Sequence, residues 1–310
     1  MIRMPTVIRY HAHCMDGIVS AALAARAWGA RRFVPYTHAS PGALPDIIDG
    51  AIGVDIPYIP GMRRWIDHHA SGLKYLTSEA LRSVHRTVDC AVTFDPSAPA
   101  CVTLLPAPAA FRSLIAMVTR IDSSAFSSAS AALDLSDPVL LLTATVNRLH
   151  DDAIDRVIID QLTRRGAERT NPIPALLRAL PKGATDDTIA HRATLRAFLQ
   201  RHARVRHDVL ACDLLDLGNR GAHFLAYATF PDTAISVLLI TKPHETDILL
   251  GRNPWHRGRT PDLAALALAY GGGGHANAAG ITFGATPAER THARAVFRAV
   301  VRKLRSAPPA

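Results

Sequence analysis

Three side chains that can bind metals or carry protons stand next to one another after the apolar residue Ile66. They are Asp67, His68 and His69. A carboxylate and two imidazoles at the end of a short apolar segment suit a shared cation or a phosphate, whereas an apolar core would exclude them. Because 15 histidines among 310 residues also produce adjacent pairs by chance, the tripeptide alone fits a solvated surface as well. Its meaning depends on residues elsewhere in the chain.

Further acidic and imidazole side chains occur at predicted ends of strands or helices in the first half of the chain. They are His11, Asp16, Asp55 and Asp122. A single Asp in such a position is commonly a helix cap or a turn residue. Together with the Asp-His-His segment, these side chains supply enough ligands for two divalent ions. Mixed ligation of this kind suits Mn²⁺, Zn²⁺ or Fe²⁺ better than Mg²⁺, and a pair of such ions serves phosphoester hydrolysis.

A second cluster, at 271–280, has the sequence GGGGHANAAG. Consecutive glycines expose backbone N–H groups and allow an anion to approach closely. His275 can donate a hydrogen bond to a phosphate oxygen. A plain flexible loop is the alternative, but the glycines run directly into a histidine and small residues, which favours anion binding.

The elements that would position these residues alternate between strand and helix. Apolar patterns predict strands at 6–11, 32–36, 51–54 and 65–66 and a helix at 17–28. Strands that alternate with helices and end in polar residues predict an α/β fold, with an open, mostly parallel sheet and an active crevice at the carboxyl edge. Farther along, the patterns predict helices at 105–120, 190–207, 263–270 and 289–304, and one or two helices between 140 and about 165. They also predict strands at 209–217, 223–230, 234–241 and 247–251.

The chain is long enough for two domains, because 310 residues exceed the usual size of one core. We expect a catalytic metal-binding domain at 1–168, a linker and connecting helix at 169–207, and a smaller α/β substrate-binding domain at 208–310. Prolines and glycines between 169 and 187 favour this connection. The helix at 190–207 is basic, so it faces either a phosphate or solvent.

Composition and charge narrow the class of protein. Lys and Arg exceed Asp and Glu by nine, which makes an anionic partner plausible. The four cysteines form no Cys-x-x-Cys pair, and the N-terminus lacks the apolar core of a signal peptide, so we expect a cytoplasmic protein. The apolar run at 101–118 contains Pro106, Pro108 and Arg112, so no membrane association is expected. The oligomeric state is open, a homodimer included.

The order of these motifs resembles the DHH phosphoesterases with a C-terminal DHHA1 domain, a family that includes the nanoRNase and RecJ-like phosphodiesterases. The Asp-His-His segment is similar to the name-giving motif. The sequence GGGH at 272–275, with AAG at 278–280, is similar to the DHHA1 signature. The sequence VDIP at 54–57 resembles the second motif and Ile121-Asp122 the fourth.

The resemblance implies two domains that face each other across a cleft, with two Mn²⁺ ions held by the first domain. By this resemblance Asp55 bridges both ions, His68 binds one of them together with Asp16 and Asp122, and His11 binds the other. His69 lies close by and acts with Asp55 in catalysis. A phosphate of the substrate is held in the second domain, by residues that the resemblance assigns as Arg252, Gly272, Gly273, Gly274 and His275.

The first motif departs from the commonest pattern of the family. Many members have His-x-Asn-Pro-Asp-x-Asp, but here the spacing from His11 to Asp16 is one residue shorter and Cys14 stands where the first Asp would be. Cys14 is therefore an unusual thiolate ligand, or the first ion loses a carboxylate and His13 compensates. Sulfur would shift the preference from Mn²⁺ towards Zn²⁺ or Fe²⁺.

The resemblance and the residues together predict a metal-dependent phosphodiesterase or exonuclease. Its substrates would be short single-stranded oligonucleotides, or small nucleotides such as cyclic dinucleotides and 3′-phosphoadenosine phosphate. The chain lacks an aromatic run for long strands. A small-molecule phosphatase is one alternative, although the glycine-histidine segment argues against a manganese-dependent pyrophosphatase. A non-catalytic nucleotide-binding module is the other alternative, because of Cys14.

Overall fold

The computed structural model describes residues 6–36, 50–69, 90–217, 221–258 and 261–306. Contacts within the chain divide these residues into two units, each built around its own sheet. The first unit contains the described residues up to Phe126 and the segment Asp134–Thr185. The second contains the segment Ser127–Leu133 and the described residues from Asp186 onward. The functional division into 1–168, 169–207 and 208–310 stays a prediction.

The first sheet has five parallel strands in the order β2-β1-β3-β4-β5. Its strands are β1 (Val7–His11), β2 (Arg32–Tyr36), β3 (Ile52–Val54), β4 (Arg64–Asp67) and β5 (Ala91–Phe94). Four of them agree with the sequence prediction within two residues at each end, whereas β5 was not predicted. Because β1 lies between β2 and β3, the chain reverses its direction of winding there, which is where open α/β sheets bind ligands.

The helices of the described residues follow in chain order. They are α1 (Met15–Trp28), α2 (Arg112–Asp122), α3 (Ala129–Ala132), α4 (Pro138–Leu149), α5 (Asp152–Thr163), α6 (Ile173–Ala179), α7 (Ala184–His202), α8 (Ala222–Thr229), α9 (Leu263–Leu268) and α10 (Pro287–Ser306). Short 3-10 turns occur at Cys101–Leu104, Ala109–Phe111 and Ala167–Arg169.

Helix α1 packs its alanine-rich surface against β1 and α5, and Ile18, Leu23 and Ala24 are completely buried. Alanine suits this position because it has the highest helix propensity and lets the helix lie close to the sheet. The helix ends at Gly29, which adopts the left-handed conformation with φ 71° and donates its N–H to Ala25 O.

The second sheet has six strands in the order β10-β11-β9-β8-β7-β6. They are β6 (Arg204–Arg206), β7 (Val209–Asp213), β8 (Ile235–Thr241), β9 (Glu245–Arg252), β10 (Gly273–His275) and β11 (Ala278–Gly284). The pairing of β7 with β8 is parallel and the other pairings are antiparallel. The buried side chains of Val237, Leu250 and Ile281 form its core with those of α10.

One predicted strand is wrong, because the segment 223–230 forms helix α8. Its apolar residues also have helical spacing, and Ala222, Leu225 and Ala226 are buried on one side. The predicted helix at 105–120 is wrong in its first turns, since regular α-helix begins only at Arg112, after Pro106 and Pro108.

The connection expected to be irregular at 169–187 contains helix α6 and the start of α7. Proline is tolerated in the first helical turn, where its missing N–H has no intrahelical partner, and Pro174 occupies that place in α6. The basic helix predicted at 190–207 ends at His202, and the arginines that follow it belong to β6. Among the described residues, no helix combines the length and apolar character needed to cross a membrane.

Candidate metal centre

The carboxyl end of β1 and the start of α1 bring the first two predicted ligands together. His11 is the last residue of β1, and Asp16 lies in the first turn of α1. The helix passes so close to the strand that a Cβ at Gly17 would clash with His11 O and lie 2.7 Å from His11 Cβ. Only glycine therefore permits this approach at Gly17.

Two backbone N–H groups hold the carboxylate of Asp16. Cys101 N donates to Oδ2 at 2.6 Å, and Val102 N donates to Oδ1 at 2.7 Å. Ser20 Oγ also donates to Oδ1 at 3.3 Å. Asp16 is 1% exposed, and these hydrogen bonds fix its orientation while the remaining lone pairs can face a cation.

Asp55 follows directly after β3 and has a left-handed backbone with φ 57°. Its Oδ2 lies 3.1 Å from His11 Nδ1. Its Oδ1 is buried and has no hydrogen bond of ordinary length within the described chain, although His68 Nε2 and His69 Nδ1 each lie 3.6 Å away. A buried carboxylate oxygen surrounded in this way is suited to bind a metal ion.

The Asp-His-His segment leaves the end of β4, and its first residue orients the other two. Asp67 Oδ1 accepts hydrogen bonds from His68 N at 2.8 Å and from His69 Nδ1 at 2.8 Å. His68 Nδ1 lies 3.1 Å from the carbonyl oxygen of Ala98, so this nitrogen carries the proton. The neutral tautomer then presents Nε2 as the ligand atom.

Nε2 of His68 lies among three carboxylates. The distances are 3.4 Å to Asp122 Oδ2, 3.6 Å to Asp16 Oδ2 and 3.6 Å to Asp55 Oδ1. Asp122 is the last residue of α2. Strands β3 and β4, helix α1 and helix α2 therefore contribute one side chain each to the same place, near the carboxyl edge of the sheet.

The potential ligand atoms fall into two groups, within each of which they lie no more than 4.8 Å apart. One group consists of Asp16, His68 and Asp122, and the other of His11, Cys14 and Asp55. The five metal ligands expected from the resemblance all lie in these groups, and Cys14 joins them. Asp55, Asp67 and His69 form a third, overlapping group. The metal-binding and catalytic roles of these residues stay predictions.

His13 does not compensate for the missing carboxylate in the described structure. Its ring lies instead against Asp152 and Asp155 of α5, at 3.3 Å and 3.5 Å. The backbone at His13 is left-handed, with φ 56°, which turns this residue away from its neighbours in the motif. Between the two alternatives left open by the sequence, the geometry favours Cys14 as the ligand.

The site concentrates negative charge in a largely buried region. Burial and the nearby carboxylates of Asp55 and Asp122 raise the pKa of Asp16 well above its usual value. Burial and Asp55 likewise raise the pKa of Asp122 to about 6. Burial also acts to raise the pKa of Asp55, but hydrogen bonds from His11 and His68 lower it below its usual range. A bound cation would relieve this repulsion, so the donors present fit divalent transition metals.

Two imidazoles of the site also have raised pKa values, although burial acts to lower them. Burial acts to lower the pKa of His68, but the hydrogen bond and charge of Asp55 outweigh it and raise the pKa to about 9. The carboxylate of Asp67 similarly overcomes the burial of His69 and raises its pKa to about 10. In the absence of metal, these imidazoles therefore take the place of cations beside the carboxylates.

The residues predicted to hold phosphate lie in the second unit. Arg252 ends β9, and its backbone N donates to Asn277 O at 2.8 Å, in the turn that follows His275. Strand β11 lies between β9 and β10, with Ala278 opposite both Gly251 and His275. Arg252 and His275 therefore lie at the same end of the second sheet, where β9 and β10 stop.

The glycine run is not the open loop that would expose several backbone N–H groups. Gly273 and Gly274 belong to β10, paired with β11, and Gly272 N donates to Ala267 O at 2.9 Å. A Cβ at Gly272 would clash with Gly280 O, and one at Gly274 would lie 2.5 Å from Ala278 O. The glycines thus permit close strand packing, and their predicted role in phosphate binding stays a prediction.

Sequence reasoning missed the N–H groups of Cys101 and Val102 that hold Asp16. Backbone donors carry no side-chain signature, and these lie 85 and 86 positions from their acceptor. The orienting role of Asp67 was also missed, although the motif contains the residue. Its position directly before two histidines was the available signal.

No protein-family model matches the sequence, and no curated protein matches it. Among solved structures, the chain is similar to a pGpG-specific phosphodiesterase, PggH, from Vibrio cholerae. The TM-score is 0.60 at 21% identity, and the match covers 96% of this chain and 99% of that one. An uncharacterized protein from Helicobacter pylori G27 matches over 95% of this chain and 100% of its own, at 11% identity and a TM-score of 0.31, which supports no inference. The chain therefore shares the α/β fold of the Vibrio structure.

Proposed function

We propose that this protein is a metal-dependent phosphodiesterase that hydrolyses phosphoester bonds of small nucleotides or short single-stranded oligonucleotides. The observation that carries the proposal is the position of Asp55. Its Oδ2 lies 3.1 Å from His11, and its Oδ1 lies 3.6 Å from His68. One carboxylate thus adjoins both groups of ligand atoms, as a site for two divalent ions requires.

In this proposal Asp16, His68 and Asp122 would hold one ion, His11 and Cys14 would hold the other, and Asp55, which adjoins both groups, would serve both. When bound, such ions would supply Lewis-acid activation of water and of the phosphoryl group. His69, oriented by Asp67, donates a proton or hydrogen bond to a phosphoryl oxygen. The carboxylate of Asp55 offers two acceptor oxygens and a negative charge. The amide of Asn is neutral and offers one oxygen and an NH₂ donor, so Asn would be a poor replacement beside two cations.

The resident ion is Mn²⁺ by the family resemblance, whereas a thiolate favours Zn²⁺ or Fe²⁺. Cys14 lies within 4.8 Å of the ligand atoms of His11 and Asp55. Mixed sulfur, nitrogen and oxygen donors suit several of these ions, so both Mn²⁺ and Zn²⁺ belong in the assay.

The substrate proposal combines the second unit with the fold comparison. Arg252 and His275, at one end of the second sheet, would bind a phosphate of the substrate. The Vibrio protein of similar fold acts on pGpG, a linear dinucleotide that falls within the class predicted from the sequence. We therefore propose pGpG as the first substrate to test.

The test incubates the full-length protein, loaded with Mn²⁺ or Zn²⁺, with pGpG, dinucleotides to pentanucleotides, cyclic dinucleotides and 3′-phosphoadenosine phosphate. Asp55→Asn is the critical variant, because Asn also accepts a left-handed backbone. Loss of Lewis-acid stabilisation worth several kcal/mol should lower kcat by about 10²- to 10³-fold. Asp160→Asn is the control, since Asp160 is exposed, with 54% of its side chain accessible.

Release of mononucleotides that disappears in Asp55→Asn and persists in Asp160→Asn supports the proposal. Binding of nucleotide without hydrolysis in excess metal would instead show a nucleotide-binding module. Release of inorganic phosphate from monoesters alone, with phosphodiesters intact, would show a small-molecule phosphatase. Either result overturns the proposal.

A further inference from the structure

A second cluster of ligand-type side chains lies beside the candidate metal centre and shares no residue with it. His13, in the turn between β1 and α1, contacts two carboxylates in the first turn of α5. The distance from His13 Nε2 to Asp152 Oδ1 is 3.3 Å, and that from His13 Nδ1 to Asp155 Oδ2 is 3.5 Å. The cluster joins two elements that lie 142 positions apart in the chain.

Burial sets this cluster apart from an ordinary surface ion pair. The side chain of His13 is 5% exposed and that of Asp155 is 0% exposed, whereas 59% of the Asp152 side chain is accessible. Within the described chain, neither His13 Nδ1 nor Asp155 Oδ1 has a hydrogen bond of ordinary length, although both atoms are buried. Buried polar atoms are normally satisfied, so these two atoms point to a missing partner.

The spacing of the donors suits a small cation. The ligand atoms of His13, Asp152 and Asp155 all lie within 4.8 Å of one another. Around a tetrahedral ion with bonds of about 2.1 Å, neighbouring ligand atoms lie about 3.4 Å apart. Only one ring nitrogen of His13 would bind such an ion. Its contact with the nearer carboxylate matches this spacing, at 3.3 Å for Nε2 with Asp152 or 3.5 Å for Nδ1 with Asp155. The exposed carboxylate of Asp152 leaves the ion a path from solvent.

A further contact would keep the ligands in place. His13 N donates to Asp155 Oδ2 at 2.8 Å, so the turn is already attached to α5. The ring of His150, directly before α5, lies 3.9 Å from the ring of His13 between centroids and covers it. Burial and the nearby Asp155 and Asp152 also raise the pKa of Tyr10, as expected where negative charge is in excess.

We propose that His13, Asp152 and Asp155 bind a divalent transition-metal ion of the Zn²⁺ class, at a site separate from the candidate catalytic centre. One imidazole and two carboxylates are ligands of the borderline type that Zn²⁺ accepts. The ion is structural: it attaches the turn that carries His11, Cys14 and Asp16 to helix α5. The inference is independent of the proposed phosphodiesterase activity.

The experiment measures Zn²⁺ bound by the chelator-treated, full-length protein in equilibrium dialysis at micromolar free Zn²⁺. Two variants remove ligands with little structural change. Asp152→Asn alters an exposed side chain, and His13→Asn keeps a residue that tolerates the left-handed backbone. Asp160→Asn, two turns farther along α5, is the matched control. Thermal unfolding of the metal-free proteins checks that all variants fold.

We expect Asp152→Asn and His13→Asn each to bind about one Zn²⁺ fewer than the wild type, and Asp160→Asn to bind the same amount. Equal binding by the wild type and both ligand variants would overturn the inference. With Co²⁺, the thiolate charge-transfer absorption of Cys14 should persist in Asp152→Asn. Its disappearance there would also count against a separate site.

His68→Ala separates this inference from the proposed function. If this variant loses Zn²⁺ while Asp152→Asn does not, the candidate catalytic centre stands and the additional site is refuted. If only Asp152→Asn and His13→Asn lose Zn²⁺, the additional site stands and the proposed two-ion centre fails. Additive losses in a double variant of His68 and Asp152 support both.

Discussion

Replacing Gly17 by Ala tests whether the close approach of α1 to β1 sets the geometry of the metal centre. An added Cβ would lie 2.7 Å from His11 Cβ and clash with His11 O. Ordinary carbon contacts are about 3.5 to 4.0 Å, so the helix and the strand must separate by about 1 Å. His11 and Asp16 lie on opposite sides of this contact, whereas metal ligation tolerates only about 0.2 Å.

Two effects on stability oppose each other in Gly17→Ala. Alanine gains roughly 1 kcal/mol of helix propensity over glycine, and overpacking costs about 1 to 3 kcal/mol. We therefore expect a net loss of at most about 2 kcal/mol in the free energy of unfolding. Activity should fall more steeply, by about 10²-fold, because a displacement of about 1 Å has that cost at a catalytic site.

The assay combines metal content, kcat on the identified substrate and thermal unfolding of the same preparation. Gly280→Ala is a control, because an added Cβ there would meet its nearest atom at 3.7 Å, an ordinary contact. A Gly17→Ala protein with wild-type metal content and activity would refute the argument that this contact sets the positions of the ligands. A variant that does not fold would show that the packing cost exceeds our range.

Three further predictions concern acid stability, metal preference and substrate binding. Burial lowers the pKa of His223 to about 4. Between pH 6.5 and 4 the unfolded chain therefore binds more protons than the folded one. The free energy of unfolding should fall by up to about 3 kcal/mol as the pH drops through this range. His223→Gln should flatten the dependence in pH-resolved denaturant titrations, and an unchanged slope would contradict it. Cys14→Asp should preserve or raise turnover with Mn²⁺ relative to Zn²⁺ in parallel assays, because it replaces a soft donor by a hard one; a lower ratio would argue against thiolate ligation. His275→Ala should raise KM by about 10-fold, with metal content unchanged by elemental analysis, since one charge-assisted hydrogen bond is lost; loss of metal would show that its role is misassigned.

The sequence predicted the part of the site that depends on strand order. Asp55 and Asp67 each lie at the end of an apolar run, and the carboxyl ends of parallel strands meet at one edge of a sheet, so their proximity could be predicted. Asp122 ends a helix; its position at a predicted element end made it a candidate ligand, and the family resemblance assigned it to the same ion as Asp16 and His68. Cys101 and Val102 could not be predicted, because hydrogen bonds from backbone N–H groups depend on tertiary packing and not on residue type.

The second half of the chain was harder to interpret. The segment 223–230 has apolar residues at spacings compatible with both a strand and a helix. Burial of its apolar side chains against the second sheet favours the helix. The glycines at 272–274 suggested an anion loop, yet β10 pairs with β11 there. Short apolar or glycine-rich segments are ambiguous in sequence because their conformation is set by neighbouring elements.

The packing of β10 limits what mutagenesis of the glycine run can reveal. Any side chain at Gly272 or Gly274 meets the backbone of β11, so a defect in such a variant would report damage to strand pairing and not the loss of a phosphate ligand. A screen that ranks glycine substitutions by lost turnover would therefore overstate their part in recognition. Side-chain truncation at Arg252, which leaves the strand backbone intact, gives the informative comparison.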